Sequence, residues 1–79
     1  MNIEEAIALI KTRLAPSVMR SLLVTHNTQV INVGNTYISV EGKASGNFRI
    51  QTRAAGEVQL FILCMRQFEE HPLKVNQWK

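Results

Sequence analysis

The stretch QVINVGNTYISVEG, residues 29–42, decides the fold because two independent features of it predict a β-hairpin. Gly34-Asn35 lies between two runs rich in β-branched residues, and glycine in the first position is typical of a two-residue type II′ turn. Such a turn sets three cross-strand pairs: Val33 with Thr36, Ile31 with Ile38, and Gln29 with Val40. The same register collects the aliphatic side chains on one side of the ribbon: Ile31, Val33, Ile38 and Val40. Turn chemistry and hydrophobic pattern therefore agree.

A third strand follows the hairpin. Residues 47–53, NFRIQTR, alternate between apolar and polar, and the preceding GKASGN is typical of a turn. Phe48 and Ile50 extend the apolar side of the hairpin. The opposite face is polar apart from one aliphatic side chain and carries Val30, Asn32, Tyr37, Ser39, Glu41, Arg49, Gln51 and Arg53. We therefore predict a three-stranded antiparallel meander that is covered on one face only.

The segment before the hairpin predicts an N-terminal helix. Asn2 is a suitable N-cap, and Glu4 and Glu5 fall in the first turn, where the helix dipole favours carboxylates. One apolar stripe follows the helical period and comprises Ile3, Ile7, Ile10 and Leu14. Pro16 disfavours helical geometry at the residue before it, so we expect this helix to end near Leu14.

Residues 16–25 leave two interpretations open. Pro16 suits the first position of a second helix, which would place Val18, Met19, Leu22 and Leu23 on a shared face. The same residues could also form a strand from Val18 to Val24. The proline favours the helix.

Residues 56–70 predict a C-terminal helix. Gly56 is an acceptable N-cap, and Glu57 follows in the first turn. The apolar side chains spread over roughly 200° of a helical wheel, which is wider than a helix buried on one side needs. We therefore expect two sets of contacts, with Leu60 and Leu63 as exposed contacts for a partner or for a second copy of the chain.

The last residues, HPLKVNQWK at 71–79, predict no regular structure. This tail is either flexible or docked on the domain. Its tryptophan, Trp78, either packs on its own domain or anchors a partner, and it is a third candidate interface residue beside Leu60 and Leu63. Residues 1–79 as a whole fit a single small α+β domain, with the helices on one face of the sheet.

Composition indicates a globular chain of modest positive charge. Of its 79 residues, 46% are hydrophobic and 19% are charged, and the net charge is +3. This composition is typical of a folded domain. The small positive charge is compatible with an acidic partner but does not require one. The longest apolar run, residues 60–65, is far shorter than the ~20 residues of a membrane span. With a single cysteine and an acidic rather than basic N-terminus, a reducing cytoplasm is the expected location.

No motif in the sequence predicts catalysis. His26 and His71 have no partner at a catalytic or metal-binding spacing, and Cys64 lies in an apolar run where a packed thiol is expected. We therefore expect neither an enzyme nor a bound cofactor or metal.

The polar face of the sheet is the expected functional surface. Tyr37, Arg49, Gln51 and Arg53 combine a ring with long donors, and arginine and tyrosine are enriched where protein partners bind. The sequence therefore favours a non-catalytic module that occupies a surface of a protein or nucleoprotein partner. Stoichiometric inhibitors of host machinery carried by phages and mobile elements are often of this size. The alternative is a nucleic-acid-binding domain, in which Tyr37 stacks on bases and the arginines contact phosphates.

Overall fold

The computed structural model of the chain describes residues 1–69, which form an α+β fold. Two helices come first and four strands follow: α1 (Ile3–Arg13), α2 (Pro16–Thr25), β1 (Thr28–Val33), β2 (Thr36–Gly42), β3 (Asn47–Ala54) and β4 (Glu57–Cys64). Residues 65–69 are helical. The strands form one antiparallel sheet in the order β1-β2-β3-β4. The predicted class is confirmed, but the predicted count of three strands is wrong. The tail at 71–79, with Trp78, lies outside the described residues.

Both N-terminal helices begin as their first residues predict. The Asn2 side chain accepts a hydrogen bond of 2.8 Å from the Glu5 backbone N–H, and the Glu5 carboxylate accepts one of 2.9 Å from the Asn2 N–H. This reciprocal capping box satisfies two backbone donors at the start of α1. Pro16 occupies the first turn of α2, so the helical interpretation of residues 16–25 is confirmed and the strand is excluded.

The predicted hairpin is present in its predicted register. Val33 pairs with Thr36, Ile31 with Ile38 and Gln29 with Val40. Gly34 has a φ of +58°, and Asn35 is not among the non-glycine residues of positive φ, which is the pattern of a type II′ turn.

The predicted C-terminal helix over residues 56–70 is wrong for residues 57–64, which form strand β4, and within the described residues only 65–69 of that range are helical. Ala55 and Gly56 both have positive φ, 53° and 76°, as the two central residues of a type I′ hairpin turn do. The chain therefore reverses there, and β4 pairs along the whole of β3 from Ala54↔Glu57 to Asn47↔Cys64. The unusually wide apolar arc was produced by the two faces of a strand, both of which carry apolar side chains.

The core lies between the helices and one face of the sheet. Its buried apolar side chains come from both layers: Ala6, Ile7, Ile10, Leu14, Met19, Leu22, Ile31, Ile38, Val40, Phe48, Ile50, Leu63 and Phe68. Phe48 meets Phe68 edge to face, with ring centroids 5.6 Å apart. Lys11 also donates a hydrogen bond to the Phe68 carbonyl, so residues 65–69 are held against α1.

Gly42 allows α2 to pack directly on the sheet. A Cβ atom at this position would lie 2.0 Å from the Leu22 carbonyl oxygen, far inside any allowed contact. The Gly42 N–H also donates a 3.1 Å hydrogen bond to the Asn27 carbonyl, in the loop that joins α2 to β1. The helix, the loop and β2 are thereby joined at a single point.

We predict that Ala55→Asn stabilises the protein. Alanine in the left-handed region costs roughly 1–2 kcal/mol, and asparagine tolerates that region better. Urea unfolding should show a free energy of unfolding higher by about 0.5–1 kcal/mol, whereas Ala55→Val should lower it. Ala44→Asn, in a turn where alanine does not have positive φ, is the matched control and should have little effect. Destabilisation by Ala55→Asn would contradict this hairpin turn.

We predict that Thr52→Val also stabilises the protein. The Thr52 hydroxyl is buried in the core and has no hydrogen-bond partner within residues 1–69. Valine has nearly the same shape without the unsatisfied polar atom, so the free energy of unfolding should rise by about 1–2 kcal/mol. Thr52→Ser keeps the hydroxyl and loses the methyl group, and it should lower the free energy instead. A loss of stability in Thr52→Val would show that the hydroxyl is hydrogen-bonded.

Candidate partner-binding surface

The face of the sheet that points away from the helices is called here the open face. All four strands contribute side chains to it, and the register shows which of them are cross-strand neighbours. The strand register aligns its side chains in three rows: Asn32–Tyr37–Arg53–Val58, Val30–Ser39–Gln51–Leu60 and Thr28–Glu41–Arg49–Ile62. All four residues proposed from the sequence as partner-binding, Tyr37, Arg49, Gln51 and Arg53, therefore lie on this one face. Their role in binding stays a prediction.

Tyr37 and Arg53 form a cation–π contact on the open face. They are directly opposite on β2 and β3, and the Arg53 guanidinium carbon lies 5.2 Å from the centroid of the Tyr37 ring. This cation–π contact limits the freedom of a long side chain. The contact places the Arg53 guanidinium over the Tyr37 ring, on the exposed side of the sheet.

Arg49 belongs to a small charged cluster in another row of the open face. One of its guanidinium nitrogens is 3.9 Å from a Glu41 carboxylate oxygen, and Lys43 Nζ is 3.5 Å from the other oxygen. These side chains are partly exposed, so each pair contributes only ~0–1 kcal/mol to folding. One carboxylate is shared by two cations. The cluster therefore retains a positive charge that is not needed for stability.

A line of aliphatic side chains on β4 borders the arginines, and of its three members only Leu60 was predicted from the sequence to be an exposed contact. Val58, Leu60 and Ile62 are 57%, 54% and 58% exposed and are called here the aliphatic row. Each is directly opposite a long polar residue of β3 in the register given above. In the sequence, the alternation Val-x-Leu-x-Ile after an Ala-Gly turn indicates a strand. This alternation is hard to recognise because Phe61 and Leu63, which lie between these residues on the other face, are also apolar.

The three interface residues proposed from the sequence, Leu60 and Leu63 from the predicted helix and Trp78 from the tail, have different outcomes. Leu60 is exposed as expected, although it lies on a strand. Leu63 is only 2% exposed and is part of the core, so its assignment as an exposed contact is wrong. It alternates with the aliphatic row and so points into the protein. Trp78 lies outside the described residues.

Other parts of residues 1–69 have few features of a ligand site. A cavity of about 60 Å³ lies between the helices and residues 65–69, smaller than the ~300–1,000 Å³ of typical ligand pockets. No group of histidine, cysteine or acidic side chains among these residues is placed to hold a metal ion. None of their helices has the length and apolar character needed to cross a membrane. Cys64, at the end of β4, is partly exposed rather than buried.

Comparisons with known proteins find no relative for this chain: no family model, no curated protein and no solved structure matches it. The molecule is thus defined by its own architecture, a four-stranded antiparallel sheet with helices on one face and a mixed basic and aliphatic surface on the other.

Proposed function

We propose that the protein is a small non-catalytic binding module that occupies a surface of a macromolecular partner with its open face. The observation that carries the proposal is the position of the aliphatic row beside Arg49 and Arg53 on one rigid sheet. Exposed apolar side chains are normal when scattered, but a contiguous line bordered by polar groups is typical of an interaction site.

The partner that best fits this surface is a protein. Protein interfaces combine an apolar centre with arginine and tyrosine anchors and a polar rim. Val58, Leu60 and Ile62 supply the apolar part, and the Tyr37–Arg53 cation–π pair supplies the aromatic and arginine anchors. Burial of the aliphatic row would remove apolar area from water, and the arginines would provide directional hydrogen bonds to acidic or carbonyl groups.

A protein that acts by covering a surface acts stoichiometrically, without turnover. We therefore include a specific biological form in the proposal: an accessory protein of a phage or mobile element that inhibits host machinery by blocking one of its surfaces. The chain's small size suits such a role, and the open face is the surface that would do the blocking.

A nucleic-acid-binding domain is the alternative, favoured by the Tyr37–Arg53 cation–π pair and by the basic residues nearby. Against it, the aliphatic row offers nothing to phosphates, and Glu41 adds a negative charge among the cations. The dependence of binding on salt separates the two. Phosphate-driven binding weakens steeply as ionic strength rises, whereas binding through an apolar centre weakens much less.

We predict that Arg49→Ala combined with Arg53→Ala weakens partner binding by about tenfold or more, equivalent to ~1.4 kcal/mol, while melting stays nearly unchanged. The partner would first be captured from host lysate, with and without nuclease, and its affinity for each variant then measured by titration at two salt concentrations. Capture that is abolished by nuclease would favour the nucleic-acid alternative.

The matched control is Arg13→Ala combined with Arg20→Ala. It removes the same charge from the helical side of the molecule, where both residues are exposed. This control should bind the partner as the unmodified protein does. If both double variants weakened binding equally, the loss of net charge alone would explain the effect. Full binding by Arg49→Ala with Arg53→Ala would refute the open-face site.

A further inference from the structure

Strand β4 is an outer strand of the sheet. It pairs with β3 on one side, and within residues 1–69 no segment pairs with its other side. An uncovered edge presents backbone N–H and C=O groups that can pair with another strand. The edge of β4 is therefore a second feature, separate from the side chains of the open face.

The hydrogen-bond pattern shows which backbone groups point outward. A two-residue turn makes Ala54 and Glu57 a hydrogen-bonded pair, so alternate residues from Glu57 onward bond to β3. Of the remaining residues, Val58, Leu60 and Ile62 direct their N–H and C=O groups to the free edge, and Cys64 does so at the end of the strand. The far end agrees with this alternation, because the Cys64 N–H is bonded at 2.9 Å to the Gln67 side chain rather than to β3.

Apart from Cys64, whose N–H is already bonded to Gln67, the outward residues are the three of the aliphatic row. Natural edges are usually protected by proline, lysine, a bulge or a short length. Strand β4 has eight residues, continuous pairing with β3 and one charge, Glu57, at its start. The opposite edge of the sheet, on β1, is different, because its outward residues are Thr28, Val30 and Asn32, of which only one is aliphatic.

We propose that β4 pairs with β4 of a second copy of the chain, antiparallel and about a two-fold axis at Leu60. In this register Leu60 lies opposite Leu60 of the second copy, and Val58 opposite Ile62. All three residues of the aliphatic row in each strand then form hydrogen-bonded pairs, each exchanging both of its bonds. The two sheets join into one continuous eight-stranded sheet.

This register is favoured over its neighbours. Paired residues must point to the same face, so the axis can move only by whole residues, to Gln59 or to Phe61. An axis at Gln59 leaves the outward groups of Ile62 without a partner in the opposing strand. An axis at Phe61 places Val58 opposite Cys64, whose N–H is already bonded to Gln67. Of these three axes, only the one at Leu60 pairs all three residues of the aliphatic row with one another.

Charge and symmetry also favour a second copy as the occupant. The single charge of β4, Glu57, lies at the strand end, so no like charges meet at the axis. Arg53 and Arg49 of the second copy are separated by three strand spacings, about 14 Å, beyond the ~8–10 Å screening length. Pairing of β4 with β1 instead would leave a free edge on each side and extend into fibres, whereas pairing of β4 with itself closes.

The dimer goes beyond the proposed function, because it involves the strand edge and leaves the open face uncovered. It places the two aliphatic rows side by side at the centre of the eight-stranded sheet, with arginines on both flanks. A single paired edge of ~26 Å is small beside the ~800 Å² that each partner buries in a typical stable complex. We therefore expect a dissociation constant in the micromolar range.

Sedimentation of the full chain and of proline variants tests the proposal. Leu60→Pro removes an outward N–H without breaking the ladder to β3, so it should yield a folded monomer, checked by circular dichroism. Val30→Pro does the same at the centre of the β1 edge and is the matched control, which should remain dimeric. A monomeric unmodified protein at high micromolar concentration, or a Leu60→Pro variant that still dimerises, would overturn the proposal.

A cross-linking variant keeps the test decisive if Leu60→Pro fails to fold. Hydrogen-bonded antiparallel pairs have Cα atoms ~5.5 Å apart, within disulfide range. In a Cys64→Ser background, Leu60→Cys should therefore form a covalent dimer on mild oxidation at least about tenfold faster than Val30→Cys does. Equal rates for the two variants would mean that β4 does not pair with itself at Leu60.

Discussion

The contact between α2 and β2 at Gly42 is the constraint on which the rest of the structure depends. The backbone of the helix passes so close to the strand that there is no space for a side chain at this position. The neighbouring hydrogen bond from Gly42 to Asn27 sets where the chain leaves the helix and enters β1. Because the hairpin register then determines every later strand, this contact positions the sheet beneath the helical layer.

Because the helices cover only one face of the sheet, the side chains of the other face contribute little to folding stability. Nearly all fully buried side chains belong to the helices or to the covered face of the sheet, where apolar burial supplies most of the favourable free energy. Within residues 1–69, the long side chains of the open face make only exposed pairs and one cation–π contact, which contribute little to folding. Arg49, Arg53 and Tyr37 are therefore positioned by a fold whose stability depends little on their side chains.

Strand β4 joins the two surfaces proposed here. Its side chains add an apolar border to the basic residues of the open face, and its backbone provides the outer edge. Pairing about Leu60 would bring two such borders together, so that a partner would meet one central apolar strip flanked by arginines. The proposed dimer and the proposed binding surface are thus compatible and are tested by different residues.

The sequence by itself determined the elements whose signals are local. The capping box at Asn2, the proline at the start of α2 and the Gly34-Asn35 turn each act over a few residues, and the open-face placement of Arg49 and Arg53 follows from strict alternation. Tertiary structure alone decided residues 57–64. That segment is apolar on both sides, so its periodicity suits a helix or a strand. Pairing with β3 selects the strand, because it satisfies the β3 backbone and buries Leu63 while leaving Leu60 exposed.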